Sequence, residues 1–243
     1  HTVGSFCWFE CFTPDENASM QFYADLLGWT WKHVPLGEMG TYHIAEKGGA
    51  EVAALMQLGP DMKAAGVPPH WAVYVAVENA DEATKQAEAL GAKVLMGPFD
   101  AMEHGRMSTL MDPLGATFNI WQAKKHCGVG LAFEPGSFGW AQLNASDAAK
   151  AKPFYTALFG WKAQDDPNPM GGFYTTWMKP DGPAGGMMPM PPGAEGAPSH
   201  WLLYWSVADT RATHAKAEAM GAKTFVPPMD IPNDSGRMAF ALD

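Results

Sequence analysis

The sequence predicts an α+β fold that arose by tandem duplication, and two observations carry this prediction. First, the segment Trp8–Trp29 resembles Trp140–Trp161, and both segments end in Gly-Trp. Phe22 and Phe154 lie 132 positions apart, and His70 and His200 lie 130 apart, so the separation barely changes along the chain. Second, each half divides again into strand, helix and three strands. A repeat at constant separation indicates duplicated domains, here with four βαβββ modules and mostly antiparallel sheets.

The elements follow from local patterns in the first half. Thr13-Pro14-Asp15-Glu16 reads as a capping box, which predicts Thr13 as the N-cap of a helix that stops at Gly28. The remaining runs predict strands at Trp29–Val34, Thr41–Ala45, Val52–Leu58, His70–Val77, Lys93–Met96, Arg106–Met111 and Ala116–Gln122, with a helix at Asp81–Leu90. In the second half, Pro153 falls inside the expected helix and is predicted to shorten or kink it.

The repeat also sets the expected domain boundaries. We expect a first domain at residues 1–125, a Gly- and Pro-containing linker at 126–138, and a second domain at 139–243. Asp243 is the equivalent of Asp112, after which the first half continues into a closing strand. The second domain is therefore expected to lack that closing strand within this sequence.

Composition restricts the classes of function. The chain has 243 residues, a formal net charge of −10 and 26 Asp and Glu against 16 Lys and Arg, which disfavours nucleic acid as a partner. An odd count of 3 Cys without regular spacing indicates reduced thiols and a cytoplasmic protein, with Cys7 and Cys11 sharing one strand face in the core. No run is long enough to predict a membrane span.

Five segments carry a family resemblance. The helix ends FYADLLGW and FYTALFGW, the strand–helix segments that begin at His70 and His200, and the hairpin GRMSTLMDPLGATFNIW resemble the vicinal oxygen chelate superfamily. That superfamily includes glyoxalase, bleomycin-resistance proteins and extradiol dioxygenases, and the chain is most similar to its two-domain bacterial glyoxalase-like group. The resemblance implies two cup-shaped sheets and a divalent metal bound at inward-facing strand positions.

The resemblance also implies candidate metal ligands. Carried over to this sequence, they are Glu10, His70, Asn119, Gln142 and His200. Glu10 would act as ligand or catalytic base, and the metal would be nickel, zinc, manganese or iron, with a metal-free site as the alternative. On the strand carrying Glu10, Trp8 and Phe12 share its face, and a carboxylate among aromatic rings is costly unless it is paired or metal-bound. Both a metal site and a Glu10–His70 hydrogen bond satisfy this requirement.

Other residues are candidates for contacting a ligand. The aromatic residues on the same strand faces are Trp8, Tyr74, Trp121, Trp140 and Tyr204, which suits an apolar or aromatic ligand. Arg106 and Arg237 occupy equivalent positions in the two halves and would either bind a carboxylate or form ion pairs at the surface.

Two functions remain open from the sequence. The first is a glyoxalase-like, metal-dependent lyase or isomerase acting on a small oxoaldehyde or thiol adduct. The second is a non-catalytic protein of the bleomycin-resistance type that binds a drug or aromatic metabolite. In both cases we expect a small-molecule partner, no nucleic acid and no membrane, and either a monomer that acts as a pseudo-dimer or a homodimer.

Overall fold

A computed structural model describes residues 1–168, 172–191, 194, 196–231 and 236–242. The strands are β1 Phe6–Thr13, β2 Thr30–Pro35, β3 Thr41–Lys47, β4 Ala50–Gln57, β5 His70–Ala76, β6 Lys93–Ala101, β7 Gly105–Met111, β8 Thr117–Ala123, β9 Phe138–Ala145, β10 Lys162–Pro167, β11 Phe173–Lys179, β12 Gly182–Pro189, β13 His200–Trp205, β14 Lys223–Asp230 and β15 Arg237–Leu242. The helices are α1 Glu16–Leu27, α2 Pro60–Ala64, α3 Ala80–Ala89, α4 Ala148–Phe159 and α5 Thr210–Ala219. The α+β class and the repeated order of strand, helix and strands are confirmed.

The strands form three sheets. The first has eight strands in the order β2-β3-β4-β1-β5-β8-β7-β6, and the second has five in the order β10-β11-β12-β9-β13. Pairing is antiparallel within the hairpins, whereas β5 with β8 and β12 with β9 are parallel. The strands β14 and β15 form a two-stranded sheet of their own. In the first half β8 joins β5 to β7, and no described strand makes the corresponding link between β13 and β15.

The helix ends correct two expectations. The N-cap of α1 is Asp15, whose side chain accepts a hydrogen bond from the Ala18 N–H, so the predicted cap Thr13 is wrong by two residues. With Asp15 as the cap, Pro14 lies outside the helix. The aspartate side chain accepts a hydrogen bond from an N–H of the first turn that has no partner within the helix. Helix α4 is as long as α1, with 12 residues each, although it contains Pro153. The predicted shortening is therefore also wrong. Burial of Phe154 and Tyr155 stabilises this helix around the lost backbone bond.

The predicted helix stop at Gly28 is confirmed and repeated. Gly28 and Gly160 end α1 and α4 with φ of 72° and 69°, and each N–H bonds back into the last helical turn. Only glycine adopts this left-handed conformation without a steric cost from Cβ. The sequence therefore places the same turn before the second strand of both halves.

The chain forms two compact units. Unit 1 contains residues 1–10, 71–129 and 140–204, and unit 2 contains 11–70, 130–139 and 205–243. In unit 1 the core includes Trp161, Trp177 and Tyr155, each at most 1% exposed. In unit 2 the Tyr23 ring stacks on Trp29 at 5.3 Å, and the Trp205 ring meets Trp29 edge-on at 4.9 Å. Among the described residues, no helix has the length and apolar character needed to cross a membrane.

Candidate functional site

The first candidate surface is a strand face of unit 1 that carries Trp8, Glu10, Tyr74, Asn119 and Trp121; we call it the first-half face. The Glu10 side chain is buried, with the residue 8% exposed, and the Tyr74 hydroxyl donates a hydrogen bond to Glu10 Oε2. Trp121 lies edge-on to the Tyr74 ring at 6.2 Å. The carboxylate therefore has a phenol partner inside an aromatic environment, which compensates part of the cost of its burial.

Asn119, a predicted metal ligand on this face, is engaged at both ends of its amide. Its Oδ1 accepts a hydrogen bond from the Thr109 hydroxyl at 2.7 Å, and its Nδ2 donates to the Val73 carbonyl at 3.3 Å. The residue is 4% exposed. These bonds hold β8 to its neighbours in the sheet and use one of the two acceptor positions of the amide oxygen.

His126 also lies at the first-half face, although no sequence pattern indicates a role for it. Its ring meets Trp8 edge-on at 4.3 Å, and its carbonyl accepts a hydrogen bond from Trp121 Nε1 at 2.9 Å. His126 follows the last strand of the first half, so no strand periodicity places it there.

His70 belongs to unit 2, whereas Glu10 belongs to unit 1. The His70 Nδ1 lies 2.9 Å from the Pro68 carbonyl, so in a neutral ring this nitrogen carries the hydrogen and Nε2 carries the lone pair. The imidazole stacks on Phe12 at 5.2 Å. A histidine fixed through Nδ1 in this way presents Nε2 as an acceptor or ligand.

The second candidate surface lies on the five-stranded sheet, entirely within unit 1; we call it the second-half face. Gln142 Nε2 donates to Asn144 Oδ1 at 2.9 Å, and Asn144 Nδ2 lies 3.2 Å from His200 Nε2. His200 Nδ1 in turn lies 3.0 Å from the Pro198 carbonyl. This gives one consistent assignment, in which a neutral His200 carries its hydrogen on Nδ1 and accepts from Asn144.

Aromatic residues border this hydrogen-bonded chain. Trp140 Nε1 donates to the Tyr174 hydroxyl at 2.7 Å. The phenol lies over Gly186, where a Cβ would come within 2.0 Å of the Tyr174 oxygen, so only glycine leaves room for it. Burial raises the pKa of Tyr174 to about 12 and also raises the pKa of Tyr204. Both phenols are therefore protonated at neutral pH and able to donate a hydrogen.

Asn144 and Tyr174 were not identified from the sequence. Asn144 stands two residues after Gln142 on β9, so strand alternation puts both on one face. Tyr174 lies on β11 and Trp140 on β9, and β12 lies between these two strands in the sheet. Their contact therefore depends on the order of the strands, which local sequence patterns do not give.

The two candidate arginines are paired with aspartates. Arg106 binds Asp81 through Nε at 2.6 Å and Nη2 at 2.8 Å, and its Nη1 lies 3.2 Å from Asp100. Hydrogen bonds from Arg106 lower the pKa of Asp81, and those from Lys124 and Arg106 lower the pKa of Asp100. Arg237 Nε lies 2.8 Å from Asp230. Both guanidinium groups thus already have carboxylate partners.

These donors do not fit a metal held by three side chains. Over the described parts of the chain, no group of three or more His, Cys, Asp or Glu side chains lies together as a metal site requires. Of the predicted ligands, Glu10 is bonded to Tyr74, Asn119 to Thr109 and Val73, and Gln142 and His200 to Asn144. Both faces are instead hydrogen-bonded within the protein and lined by aromatic rings.

The fold and these faces define a duplicated α+β protein of known family. The chain belongs to the Glyoxalase/Bleomycin resistance protein/Dioxygenase superfamily, whose model matches residues 5–120 and 137–243. Among its relatives, "Putative glyoxylase CFP32" of Mycobacterium tuberculosis is 36% identical over 239 residues, spanning 97% of this chain and 89% of that protein. "Anthracycline biosynthesis protein DauV" of Streptomyces sp. (strain C5) is 35% identical, spanning 99% and 90%.

Solved structures agree with this fold. The Mn(II)-bound glyoxalase from Novosphingobium aromaticivorans superposes with a TM-score of 0.63 at 18% identity, covering 98% of this chain and 78% of that one. The 2,2',3-trihydroxybiphenyl 1,2-dioxygenase from Sphingomonas wittichii strain RW1 gives 0.61 at 15% identity, covering 100% and 91%. The predicted superfamily and the tandem glyoxalase-like fold are thus confirmed.

Proposed function

We propose that the chain binds a small, uncharged aromatic molecule on the second-half face, and that this binding needs no metal. The observation that carries the proposal is the hydrogen-bonded chain Gln142–Asn144–His200 beside the Trp140–Tyr174 pair. Every member of this set is neutral in the assignment given above. A neutral, ring-lined surface with a few converging polar groups suits an aromatic ligand better than an ion.

The two tyrosines indicate which groups the ligand carries. Tyr174 already accepts a hydrogen bond from Trp140, so its own hydroxyl hydrogen is available for a second partner. Since burial raises the pKa of both Tyr174 and Tyr204, the phenols donate rather than accept as phenolates. The ligand is therefore expected to bear carbonyl or hydroxyl oxygens on its ring system.

The test is a titration of metal-stripped protein with a panel of hydroxy- and keto-arenes. Binding is measured by quenching of tryptophan fluorescence and by calorimetry. Tyr174→Phe keeps the ring and removes the donor, so it should weaken binding by about three- to tenfold, the value of one neutral hydrogen bond. Trp31→Phe is the matched control, because Trp31 faces helix α1 and donates to the Met20 carbonyl. Its Kd should equal that of the unmodified protein.

Two results would count against binding on this face. A metal-stripped protein that binds nothing in the panel removes the proposal altogether. Saturable binding that Tyr174→Phe leaves unchanged places the ligand elsewhere on the chain.

A second function, glyoxalase-like lyase or isomerase activity on a small oxoaldehyde or thiol adduct, is favoured by Glu10. A buried carboxylate beside a phenol can accept a proton from the carbon next to a carbonyl, and the hydrogen bond from Tyr74 can hold that carboxylate in place. Glu10→Gln keeps the shape and removes the base. Turnover of such substrates should fall at least about a hundredfold in this variant, and a variant with full turnover excludes Glu10 as the base.

A further inference from the structure

Two histidines face each other at the edge of the eight-stranded sheet, in unit 2. His33 on β2 and His43 on β3 are directly paired in register, and their Nδ1 atoms lie 2.7 Å apart with the ring planes at 83°. His43 is 5% exposed, whereas His33 is exposed on the edge strand. At this separation one Nδ1 must carry the hydrogen and the other must accept it.

A carboxylate on the neighbouring helix completes the cluster. Glu16, the first residue of α1, places Oε2 3.2 Å from His43 Nε2. This is an ion-pair distance, although the N–H is not aligned for a hydrogen bond. Glu16 therefore places a negative charge beside the buried ring of the pair.

One assignment of the shared hydrogen follows from the position of Glu16. With a hydrogen on His43 Nε2 towards Glu16, His43 Nδ1 accepts and His33 Nδ1 donates. The lone pair of His33 is then on Nε2, and no hydrogen bond from the described residues occupies that atom. This is the order carboxylate, imidazole, nucleophile that activates a weak nucleophile in many enzymes, with an imidazole in the place of a hydroxyl.

We propose that Glu16 and His43 activate His33 Nε2 as a nucleophile that takes acyl groups from small activated acyl donors. The Nε2 lone pair forms a bond to the acyl carbon, and the bond from that carbon to the leaving oxygen breaks, the oxygen keeping the electron pair. The hydrogen on His33 Nδ1 passes to His43 Nδ1. The products are a neutral acyl-imidazole at His33, an imidazolium at His43 beside Glu16, and the released alkoxide or carboxylate.

Two other histidines are held differently, through their Nδ1 atoms. The Nδ1 atoms of His70 and His200 are bonded to proline carbonyls, which fixes their orientation without supplying a proton acceptor beside the ring. His104 is exposed like His33, and in the described structure no carboxylate or second imidazole bonds to its ring. His104 is therefore the internal reference for an exposed histidine that lacks a relay.

The test measures acylation of each histidine in the whole protein by diethyl pyrocarbonate, followed with peptide mass spectrometry. His33 should react about tenfold faster than His104, and Glu16→Gln should remove most of that ratio. His43→Phe keeps a ring of similar size and should lower the ratio to about one. Glu16 lies in the first helical turn with a partly exposed side chain, so its variant tests the relay even if His43→Phe fails to fold.

A ratio of His33 to His104 near one in the unmodified protein would overturn the proposal. A high ratio that persists in Glu16→Gln would also overturn it, since the reactivity of His33 would then not depend on the Glu16 carboxylate. Neither result depends on the aromatic ligand proposed above.

Discussion

The three cysteines differ in their access to solvent. Cys7 and Cys11 are buried and Cys127 is exposed, and burial raises the pKa of the Cys7 thiol to about 12. Because the thiolate is the reactive form, we expect Ellman's reagent to titrate Cys127 quickly in the folded protein and all three thiols in urea. Cys127→Ser should abolish the fast reaction. A fast reaction that survives in this variant would contradict the burial of the other two.

Asp112 makes the stability of unit 1 depend on pH. Its Oδ1 accepts from the N–H groups of Leu114 and Ala116, and its Oδ2 accepts from the Tyr155 hydroxyl at 2.9 Å. Burial nevertheless raises the pKa of this carboxyl above 3.8. The folded protein therefore binds more protons than the unfolded chain in the interval above that value. The contribution of Asp112 to the free energy of unfolding is largest at low pH and falls as pH rises through the folded pKa.

Urea denaturation of the unmodified protein and of Asp112→Asn at pH 4 and pH 7 measures this effect. Asparagine keeps the Oδ1 acceptor for Leu114 and Ala116 but has no charge to bury. The difference in unfolding free energy, unmodified protein minus variant, should be smaller at pH 7 than at pH 4. A difference that grows with pH would show that the hydrogen bonds outweigh desolvation at this site.

At the scale of residues, strand alternation predicted much of both faces. It placed Glu10 between Trp8 and Phe12, and Gln142 two residues after Trp140. It did not supply the partners, because contacts such as Tyr74 with Glu10 depend on the order of strands in the sheet. The His33–His43 pair was missed for the same reason, since it requires the register of a hairpin.

At the scale of elements, the four longer helices share one type of cap. Asp15, Asn79, Asp147 and Asp209 each accept a hydrogen bond from the first helical turn. Asp15→Ala should lower the free energy of unfolding by about 1 kcal/mol. Asp15→Asn should lower it much less, since an asparagine side chain also caps a helix. Chemical denaturation checks both variants. Equal losses in the two variants would assign the effect to charge rather than to the hydrogen bond.

Element types were predictable because apolar spacing and glycine stops are local signals. The boundaries were less so: the pattern Thr13-Pro14-Asp15-Glu16 contains two possible caps, and Asp15 is the one used. Pro153 removes one backbone donor from α4, yet the helix keeps its length because its buried face supplies the stabilisation. Packing, which decided the second case, is not encoded in the window of sequence around Pro153.

At the scale of the molecule, the duplicated halves and the compact units do not coincide. Unit 1 combines the second module of the first half with the first module of the second half, and Gln86 of α3 donates to the Ala157 carbonyl of α4 at 2.8 Å. In unit 2, Lys216 of α5 donates to the Asp25 carbonyl at 2.6 Å. A repeat identifies which segments are alike, but the docking of helix surfaces determines which segments pack together.

The central claim is that the second-half face binds an uncharged aromatic molecule without a metal. The most direct measurement is the ligand Kd of metal-stripped protein, compared with the same protein after addition of nickel, zinc, manganese or ferrous iron. We predict Kd values equal within about twofold, a difference below 0.5 kcal/mol. Binding that appears only after metal is added, and that is lost in His70→Ala or His200→Ala, would contradict the claim and restore a metal-dependent site.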